Sequence, residues 1–169
     1  MSTKYILLAA VSIDGKINKN NKHSSNWTST EDKDHLHKIL DQCDLVLVGN
    51  RTYQLAKQAL ALRNCLVFSH ATKKSKANCT YINPQKTDIK KFIAQNKYKK
   101  IAILGGTAIY DFTMAHNMLD EIYLTIEPII FGSGLSIFDT FVKKINAFQL
   151  VSSKKLNPRG SILLHYKKI

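Results

Sequence analysis

The stretch IAILGGTAIYDF, residues 101–112, reads as a strand, a glycine turn and the start of a helix. Its first four residues are apolar and uncharged, which is typical of a short strand that is buried on both faces. After the glycine pair, Ala108, Ile109 and Phe112 recur at helical spacing. Such a turn directs free backbone N–H groups and the positive end of the helix dipole at one point. Two interpretations stay open for this stretch: an anion site, or a tight turn in which glycine only satisfies the backbone dihedrals.

Apolar runs that read as strands alternate with segments of helical periodicity on both sides of this stretch. This alternation implies an α/β fold with a mostly parallel central sheet and helices on both faces, and the last two strands add an antiparallel hairpin. The polar residues 18–26 read as an exposed, mobile loop. The predicted strands are 4–12, 44–49, 65–68, 80–82, 101–104, 121–130, 148–155 and 161–167. The predicted helices are about 30–42, about 50–60, 87–97 with Thr87 as N-cap, and about 107–118.

Three turns of the phosphate-binding type follow strands of this predicted sheet, at 49–52, 69–74 and 105–108. Ligands of mostly parallel sheets bind beyond the carboxyl ends of the strands, which is where these turns are expected to meet. The register of the three turns favours a pyrophosphate site at 105–108 over a plain tight turn.

The composition is that of one soluble globular domain, with 169 residues, 44% hydrophobic and 22% charged. No apolar run approaches the roughly 18–20 residues of a membrane span, and no cleavage-site pattern follows the N-terminal strand. The three cysteines, Cys43, Cys65 and Cys79, are odd in number and lack metal-site spacing. We therefore expect a single domain over 1–169, buried cysteines without a disulfide or metal, and a cytoplasmic location.

A formal net charge of +13 attracts polyanions in general. The lysines are spread over many segments and are not interleaved with aromatic residues, so we do not expect a nucleic-acid partner. The charge also suits phosphorylated small ligands. A basic polyanion-binding protein stays open as a function of a different class.

Five stretches, in the right order and over nearly the whole chain, resemble the dihydrofolate reductase-like superfamily. Two motifs, S-x-D-G-K and D-E-x-x-L-x-x-x-P-x-x-x-G-x-G, are closest to the reductase family of riboflavin biosynthesis. The resemblance implies a three-layer fold with about eight strands and four flanking helices, an NADPH-dependent reductase and a homodimer. The zinc deaminase pattern that accompanies many riboflavin reductases is missing from the chain. The five stretches are AAVSIDGKI (9–17), Trp27-Thr28-Ser29, DLVLVGNRTY (44–53), ILGGTAIY (103–110) and LDEIYLTIEPIIFGSGLSIF (119–138).

The resemblance also implies which residues bind NADPH. The backbone of Ala10 is expected at the nicotinamide and Ser69 at the adenosine. The cations that could pair with a 2′-phosphate are Arg51, Lys73 or Lys74. Asn50 stands where dihydrofolate reductases often have a basic residue, so the preference for NADPH over NADH stays open. Phosphate binding is expected at Gly49, Arg51 and Thr52, and pyrophosphate binding at Gly105, Gly106, Thr107 and Ala108.

Three residues are expected on the substrate side. By resemblance, Asp32 falls where dihydrofolate reductases place the acid that supports protonation of the pterin, and Thr125 where they place its threonine partner. A first-turn Asp that complements the helix dipole is the alternative for Asp32. Lys16, in the S-x-D-G-K turn, is the candidate for a substrate phosphate or another polar group, or is an exposed turn lysine. Glu121 is expected to have a structural role at the start of a strand.

The predicted reaction is hydride transfer from NADPH to a C=N or C=O bond of a small heterocyclic or ribosylated substrate. By resemblance, the substrate is the ribosylaminopyrimidine phosphate of riboflavin synthesis, 5-amino-6-(5-phosphoribosylamino)uracil, whose ribose becomes ribitol. Reduction of dihydrofolate is the alternative that Asp32 and Thr125 favour.

Overall fold

The apolar runs of the sequence form strands, and the amphipathic segments between them form helices that cover the strands. In the computed structural model, which describes residues 2–20, 26–71, 73–139 and 145–169, the described residues form ten strands and four helices. In chain order these are β1 (Lys4–Ser12), β2 (Lys16–Asn18), α1 (Thr30–Leu40), β3 (Leu45–Gly49), α2 (Asn50–Leu55), β4 (Cys65–Phe68), β5 (Cys79–Ile82), α3 (Ile89–Gln95), β6 (Lys100–Ile103), α4 (Thr107–Ala115), β7 (Glu121–Glu127), β8 (Leu135–Ser136), β9 (Phe148–Lys155) and β10 (Ile162–Lys168).

Eight of the strands form one sheet in the order β5-β4-β3-β6-β1-β7-β10-β9. Neighbours from β5 to β7 are parallel, whereas β10 runs antiparallel to both β7 and β9. The predicted mostly parallel sheet, closing antiparallel hairpin and four helices are therefore confirmed. The short strands β2 and β8 form a separate two-stranded sheet, which the sequence analysis missed.

The core has two halves, one on each face of the sheet. Successive residues of a strand point to opposite faces, so Leu7 packs in one half and Ile6 in the other. Buried residues of α3 and α4 belong to the first half, and those of α1 and α2 to the second. This arrangement of helices, sheet and helices gives the predicted three layers.

Helix α1 begins at Thr30, as predicted, whereas boundaries of α2 and α3 differ from the predicted ones. The N-cap of α1 is Ser29, whose hydroxyl accepts a hydrogen bond from the Asp32 backbone N–H at 3.3 Å. The N-cap of α3 is Asp88, whose carboxylate accepts from the Lys91 N–H, so the prediction of Thr87 was wrong. Helix α2 ends at Leu55, and turns replace the helix predicted to continue to about residue 60.

The cysteines are free, and Cys65 and Cys79 are buried as predicted, while Cys43 is half-buried. Cys65 and Cys79 lie opposite each other on β4 and β5. Burial raises the pKa of the Cys65 thiol to about 12, so this thiol is unreactive at neutral pH.

Part of the predicted mobile loop, residues 21–25, lies outside the described residues. Among the described residues there is no helix with the length and apolar character that a membrane span needs. They also contain no group of three or more His, Cys, Asp or Glu side chains that could hold a metal ion.

Candidate active site

A cleft of about 1350 Å³ lies at the carboxyl ends of the parallel strands. This volume exceeds the roughly 300–1,000 Å³ of a typical small-molecule pocket. Most of the residues predicted for the site line this cleft. They are Ala10, Asp32, Gly49, Arg51, Thr52, Gly106, Thr107, Ala108 and Thr125.

The N-termini of α2 and α4 meet in this cleft. The Gly49 N–H donates to the Gly105 carbonyl at 2.9 Å, and a Cβ on Gly106 would lie 3.9 Å from the Thr52 hydroxyl oxygen. The N-cap residues, Gly49 and Gly106, provide no side-chain cap. In α4 the Ile109 N–H already donates to the Gly106 carbonyl at 2.9 Å, whereas the N–H groups of Thr107 and Ala108 have no partner among the described residues. These two groups, and those of the first turn of α2, are left for a ligand, with the positive ends of two helix dipoles behind them. This arrangement suits a pyrophosphate.

Close packing explains why glycine occupies these turns. A Cβ on Gly49 would lie 3.3 Å from Ile109 Cγ1, and a Cβ on Gly105 would lie 2.5 Å from Cζ of the Tyr110 ring. Gly105 also has a φ of +80° and precedes a cis peptide bond to Gly106. The Tyr110 hydroxyl donates to the Leu8 carbonyl at 2.9 Å, which fixes the ring beneath the turn.

Five of the predicted site residues do not line the cleft, namely Lys16, Ser69, Gly105 and the candidate cations Lys73 and Lys74. The Lys16 ammonium donates to the Ser136 hydroxyl at 3.0 Å, within the small β2–β8 sheet. The Ser69 hydroxyl donates to the Ala71 carbonyl at 3.1 Å, although Phe68 and His70 on either side of it do line the cleft. Gly105 is the buried first residue of the turn 105–108. Its carbonyl accepts the hydrogen bond from the Gly49 N–H that joins the starts of α2 and α4.

Three pairs of polar residues, which we call the polar seam, join α1 to β7: Ser29 with Glu127, Asp32 with Thr125, and His35 with Tyr123. The Ser29 N–H donates to Glu127 Oε1 at 2.7 Å, the Asp32 carboxylate is hydrogen-bonded by the Thr125 hydroxyl, and the His35 and Tyr123 ring centroids are 5.1 Å apart. A step of three residues on a helix and a step of two on a strand each keep side chains on one face. Helix α1 therefore runs antiparallel to β7, and each residue on the helix side of the polar seam lies opposite its partner on β7.

Asp32 lies in the middle of the polar seam and has an unusual environment. Burial raises the pKa of its carboxyl, and the negative charge of Glu127 acts in the same direction. Hydrogen bonds from the hydroxyls of Thr125 and Thr28, and the charge of Lys33, oppose this rise only in part. Asp32 therefore keeps its proton to a higher pH than an ordinary aspartate, as a proton donor needs. Its partner Thr125 is buried and lies beside Ala10, its register partner on β1.

Glu127 is buried and holds the elements around Asp32 in place. Its second oxygen, Oε2, accepts a hydrogen bond from the hydroxyl of Ser161, the residue directly before β10. Both carboxylate oxygens are thus used, one by the N-cap of α1 and one by β10. This makes Glu127 a structural partner of the site.

Two basic residues, Arg51 and Lys73, lie at the end of the cleft that the start of α2 forms. The Lys73 ammonium donates to Asn50 Oδ1 at 2.8 Å and lies 5.3 Å from the centroid of the Tyr81 ring. Arg51 is exposed at the rim and forms no ion pair with any described residue. Asn50 therefore holds the Lys73 ammonium beside the start of α2.

The sequence analysis missed His35 and Trp27, which also line the cleft. His35 Nε2 and Trp27 Nε1 are buried and have no hydrogen-bond partner among the described residues. The Trp27 ring packs edge-on against Phe131, with centroids 5.1 Å apart. The spacing of three residues from Asp32 to His35 was a usable signal, because it places both on one helix face.

Comparisons with known proteins agree with this architecture. The solved structure of a putative riboflavin biosynthesis protein from Shewanella sp. PV-4 matches with a TM-score of 0.78 at 15% identity, over 100% of this chain and 99% of that one. A pyrimidine reductase-like protein from Corynebacterium diphtheriae matches with a TM-score of 0.78 at 17% identity, over 99% of this chain and 92% of that one. A deaminase/reductase from Thermotoga maritima matches with a TM-score of 0.77 at 17% identity, over 99% of this chain and 57% of that one.

Sequence comparison gives the family. The uncharacterized protein YwjB of Bacillus subtilis is 26% identical over 181 aligned positions, which cover 98% of each chain. The family model described as dihydrofolate reductase matches residues 4–161 of this chain. The chain therefore belongs to the dihydrofolate reductase family.

Proposed function

We propose that the protein is an NADPH-dependent reductase of 5-amino-6-(5-phosphoribosylamino)uracil. The observation that carries the proposal is the meeting of two uncapped helix N-termini in the same cleft as the Asp32–Thr125 pair. One end of the cleft suits the pyrophosphate of a dinucleotide, and the other end holds an acid with a raised pKa. A reductase needs both a hydride donor and a proton donor within one cleft.

The residues of the cleft fit NADPH. We propose that Gly49, Thr52 and the turn 105–108 hold its phosphates, because glycine leaves the backbone N–H groups accessible. Ala10 lies beside Thr125 on the neighbouring strand, so a nicotinamide at its backbone would face the Asp32–Thr125 pair. Bound NADPH supplies the hydride. Arg51 and the Lys73 ammonium held by Asn50 are proposed to bind the 2′-phosphate.

On the substrate side, we propose that Asp32 gives its proton to the nitrogen or oxygen of the bond that is reduced. The ribosylamine offers that C=N bond once its C1′–O ring bond breaks, as the exocyclic N–H loses a proton and the ring oxygen gains one. A hydride from bound NADPH to C1′ and the proton from Asp32 would then leave the ribityl chain, and water would restore the proton on Asp32. Thr125 orients the carboxyl through its hydroxyl. Lys16 is not part of this proposal, since its ammonium is bound to Ser136.

Dihydrofolate reduction is the second candidate function, and the Asp32–Thr125 hydrogen bond favours it. A carboxyl and a hydroxyl side by side can bind the amidine-like edge of a pterin as well as a pyrimidine. The two candidates share the cofactor and differ in the substrate.

Purified protein is mixed with NADPH and either 5-amino-6-(5-phosphoribosylamino)uracil or dihydrofolate, and oxidation of NADPH is followed by its near-ultraviolet absorbance. We expect oxidation with the phosphoribosyl substrate. Turnover of dihydrofolate alone, with inhibition by methotrexate, would favour the second candidate. The matched control is Asp32→Asn, which keeps the shape of the side chain and removes the acid.

A measurement without substrate separates the enzyme from the polyanion-binding alternative. A ligand that binds only the folded state raises the apparent stability, so NADPH should raise the melting temperature. No shift with NADPH or NADH, together with salt-dependent retention of DNA or RNA, would support the alternative instead. The homodimer, the cytoplasmic location and the single domain over 1–169 stay predictions from the sequence.

A further inference from the structure

The chain contains a long stretch without acidic residues. Residues 45–87 include no Asp or Glu but seven Lys and Arg, whereas all 12 acidic residues lie in the other 126 positions. We call this stretch the basic edge. Its Lys and Arg residues are Arg51, Lys57, Arg63, Lys73, Lys74, Lys76 and Lys86.

The fold places the basic edge at one side of the molecule. It comprises β3, α2, β4 and β5, and β5 and β4 are the last two strands at one side of the sheet. Arg63, which binds Asp41, is the one Lys or Arg of the basic edge that forms an ion pair with any described residue. The other six cations are therefore not neutralised by a carboxylate of the described residues, and their fields add together.

The basic edge also forms one end of the candidate active site. Gly49–Thr52, Phe68, His70, Pro84 and Gln85 belong to it and line the cleft. A ligand that enters this end passes a low-dielectric surface of one sign of charge, and such clefts raise the on-rate for ligands of opposite charge by about 10–10³-fold. The acid Asp32, by contrast, lies on α1 outside the basic edge.

We propose that the basic edge selects the more highly charged dinucleotide cofactor during association, through its summed field rather than through a single contact. This inference rests on the proposed function, because it assumes that a dinucleotide binds in the cleft. NADPH carries one more phosphate than NADH, which adds about −1.5 to −2 charge at neutral pH. The field should therefore accelerate the binding of NADPH more than that of NADH. A direct contact with the 2′-phosphate, such as the one proposed for Lys73, should act mainly on the dissociation rate.

The test is a stopped-flow measurement of association and dissociation rate constants for NADPH and NADH as a function of salt. At low ionic strength we expect NADPH to associate about tenfold faster than NADH. Near 1 M salt, where the Debye length is about 3 Å, the two association rates should converge. A ratio that does not change with salt would overturn the inference.

Charge reversal of a basic-edge residue that does not line the cleft separates the field from local contacts. Lys57 is exposed and does not line the cleft, so Lys57→Glu should lower the association rate of NADPH about two- to fivefold and leave its dissociation rate unchanged. Lys74→Glu provides a second exposed site in the basic edge. A Lys57→Glu protein that binds as fast as the native chain would contradict the proposal, as would one changed only in dissociation.

The matched control is Lys155→Glu, the same charge reversal on an exposed residue of β9. Strand β9 lies seven strand spacings from β5 in the sheet order, or roughly 34 Å, which is several Debye lengths at physiological salt. At physiological salt the control should bind at the native rate, and an equal loss in Lys155→Glu would show that net charge alone matters. If neither dinucleotide binds the native chain, the proposed function itself fails, which is a different result.

Discussion

Gly105→Ala tests how tightly the glycine turn is packed on Tyr110. The new Cβ would lie 2.5 Å from Tyr110 Cζ, and Gly105 has a φ of +80°, where a residue with a Cβ is strained. The backbone strain costs about 1–2 kcal/mol. Because Tyr110 is buried and donates to Leu8, displacement of its ring breaks a buried hydrogen bond, at about 1–3 kcal/mol. We expect the free energy of unfolding to fall by about 2–5 kcal/mol.

Urea denaturation of Gly105→Ala and Gly132→Ala separates the steric clash from the backbone strain. Gly132 has a similar φ of +76°, but a Cβ there would meet no atom of the described residues within 4 Å. The free energy of unfolding of the control should therefore fall only by the cost of the backbone strain, about 1–2 kcal/mol. Equal losses in the two variants would refute the claim that Tyr110 closes the space beside Gly105. Because the Gly105 carbonyl also accepts from Gly49, binding of NADPH should weaken in Gly105→Ala and not in Gly132→Ala.

Three further predictions concern charge. Asp32→Asn should lower kcat about 100-fold or more. The pKa of Asp32 is higher in the folded state than in the unfolded state, so ionisation of Asp32 destabilises the native chain as pH rises from the unfolded to the folded pKa. Over this pH range the variant, which cannot ionise, should become more stable than the native chain. Urea denaturation as a function of pH measures the difference. Glu121→Gln should cost about 1–2 kcal/mol at neutral pH. Burial acts to raise the pKa of the Glu121 carboxyl, but the hydrogen bond and charge of Lys4, with the charges of His165 and Lys167, lower it overall. The stability that Glu121→Gln lacks should therefore disappear as pH falls through the folded-state pKa of Glu121. Lys73→Ala should raise KM for NADPH about tenfold and leave KM for NADH unchanged, with Lys155→Ala as control.

Local patterns in the sequence were sufficient for the strands and for the layer architecture. Strands β1, β4 and β9 have the predicted bounds, because each apolar or alternating run ends at polar or turn-forming residues. The end of α2 was less predictable. Alanines at 56, 59 and 61 are good helix formers, yet the chain turns there so that Leu60 is buried against the sheet. In this segment tertiary packing outweighs helix propensity.

Contacts between distant segments explain the rest of the differences. Strands β2 and β8 have three and two residues and pair across more than a hundred positions, so no local pattern marks them. The same pairing withdraws Lys16 from the cleft. The polar seam depends on the register of α1 over β7, which the sequence does not encode locally, although Asp32 and Thr125 were each found by resemblance.

The cysteine pair on β4 and β5 gives the basic edge a built-in chemical reporter. Cys65 and Cys79 are buried opposite each other, so a thiol reagent reaches them only when this side of the sheet opens. Burial also raises the pKa of the Cys65 thiol to about 12, which keeps it protonated at neutral pH. The labelling rate therefore measures the free energy of this local opening, separately from global unfolding. Because β4 ends beside the cleft, a ligand that orders this end of the sheet should slow the labelling in proportion to its occupancy. Binding at the cofactor end of the molecule can thus be followed without any catalytic turnover.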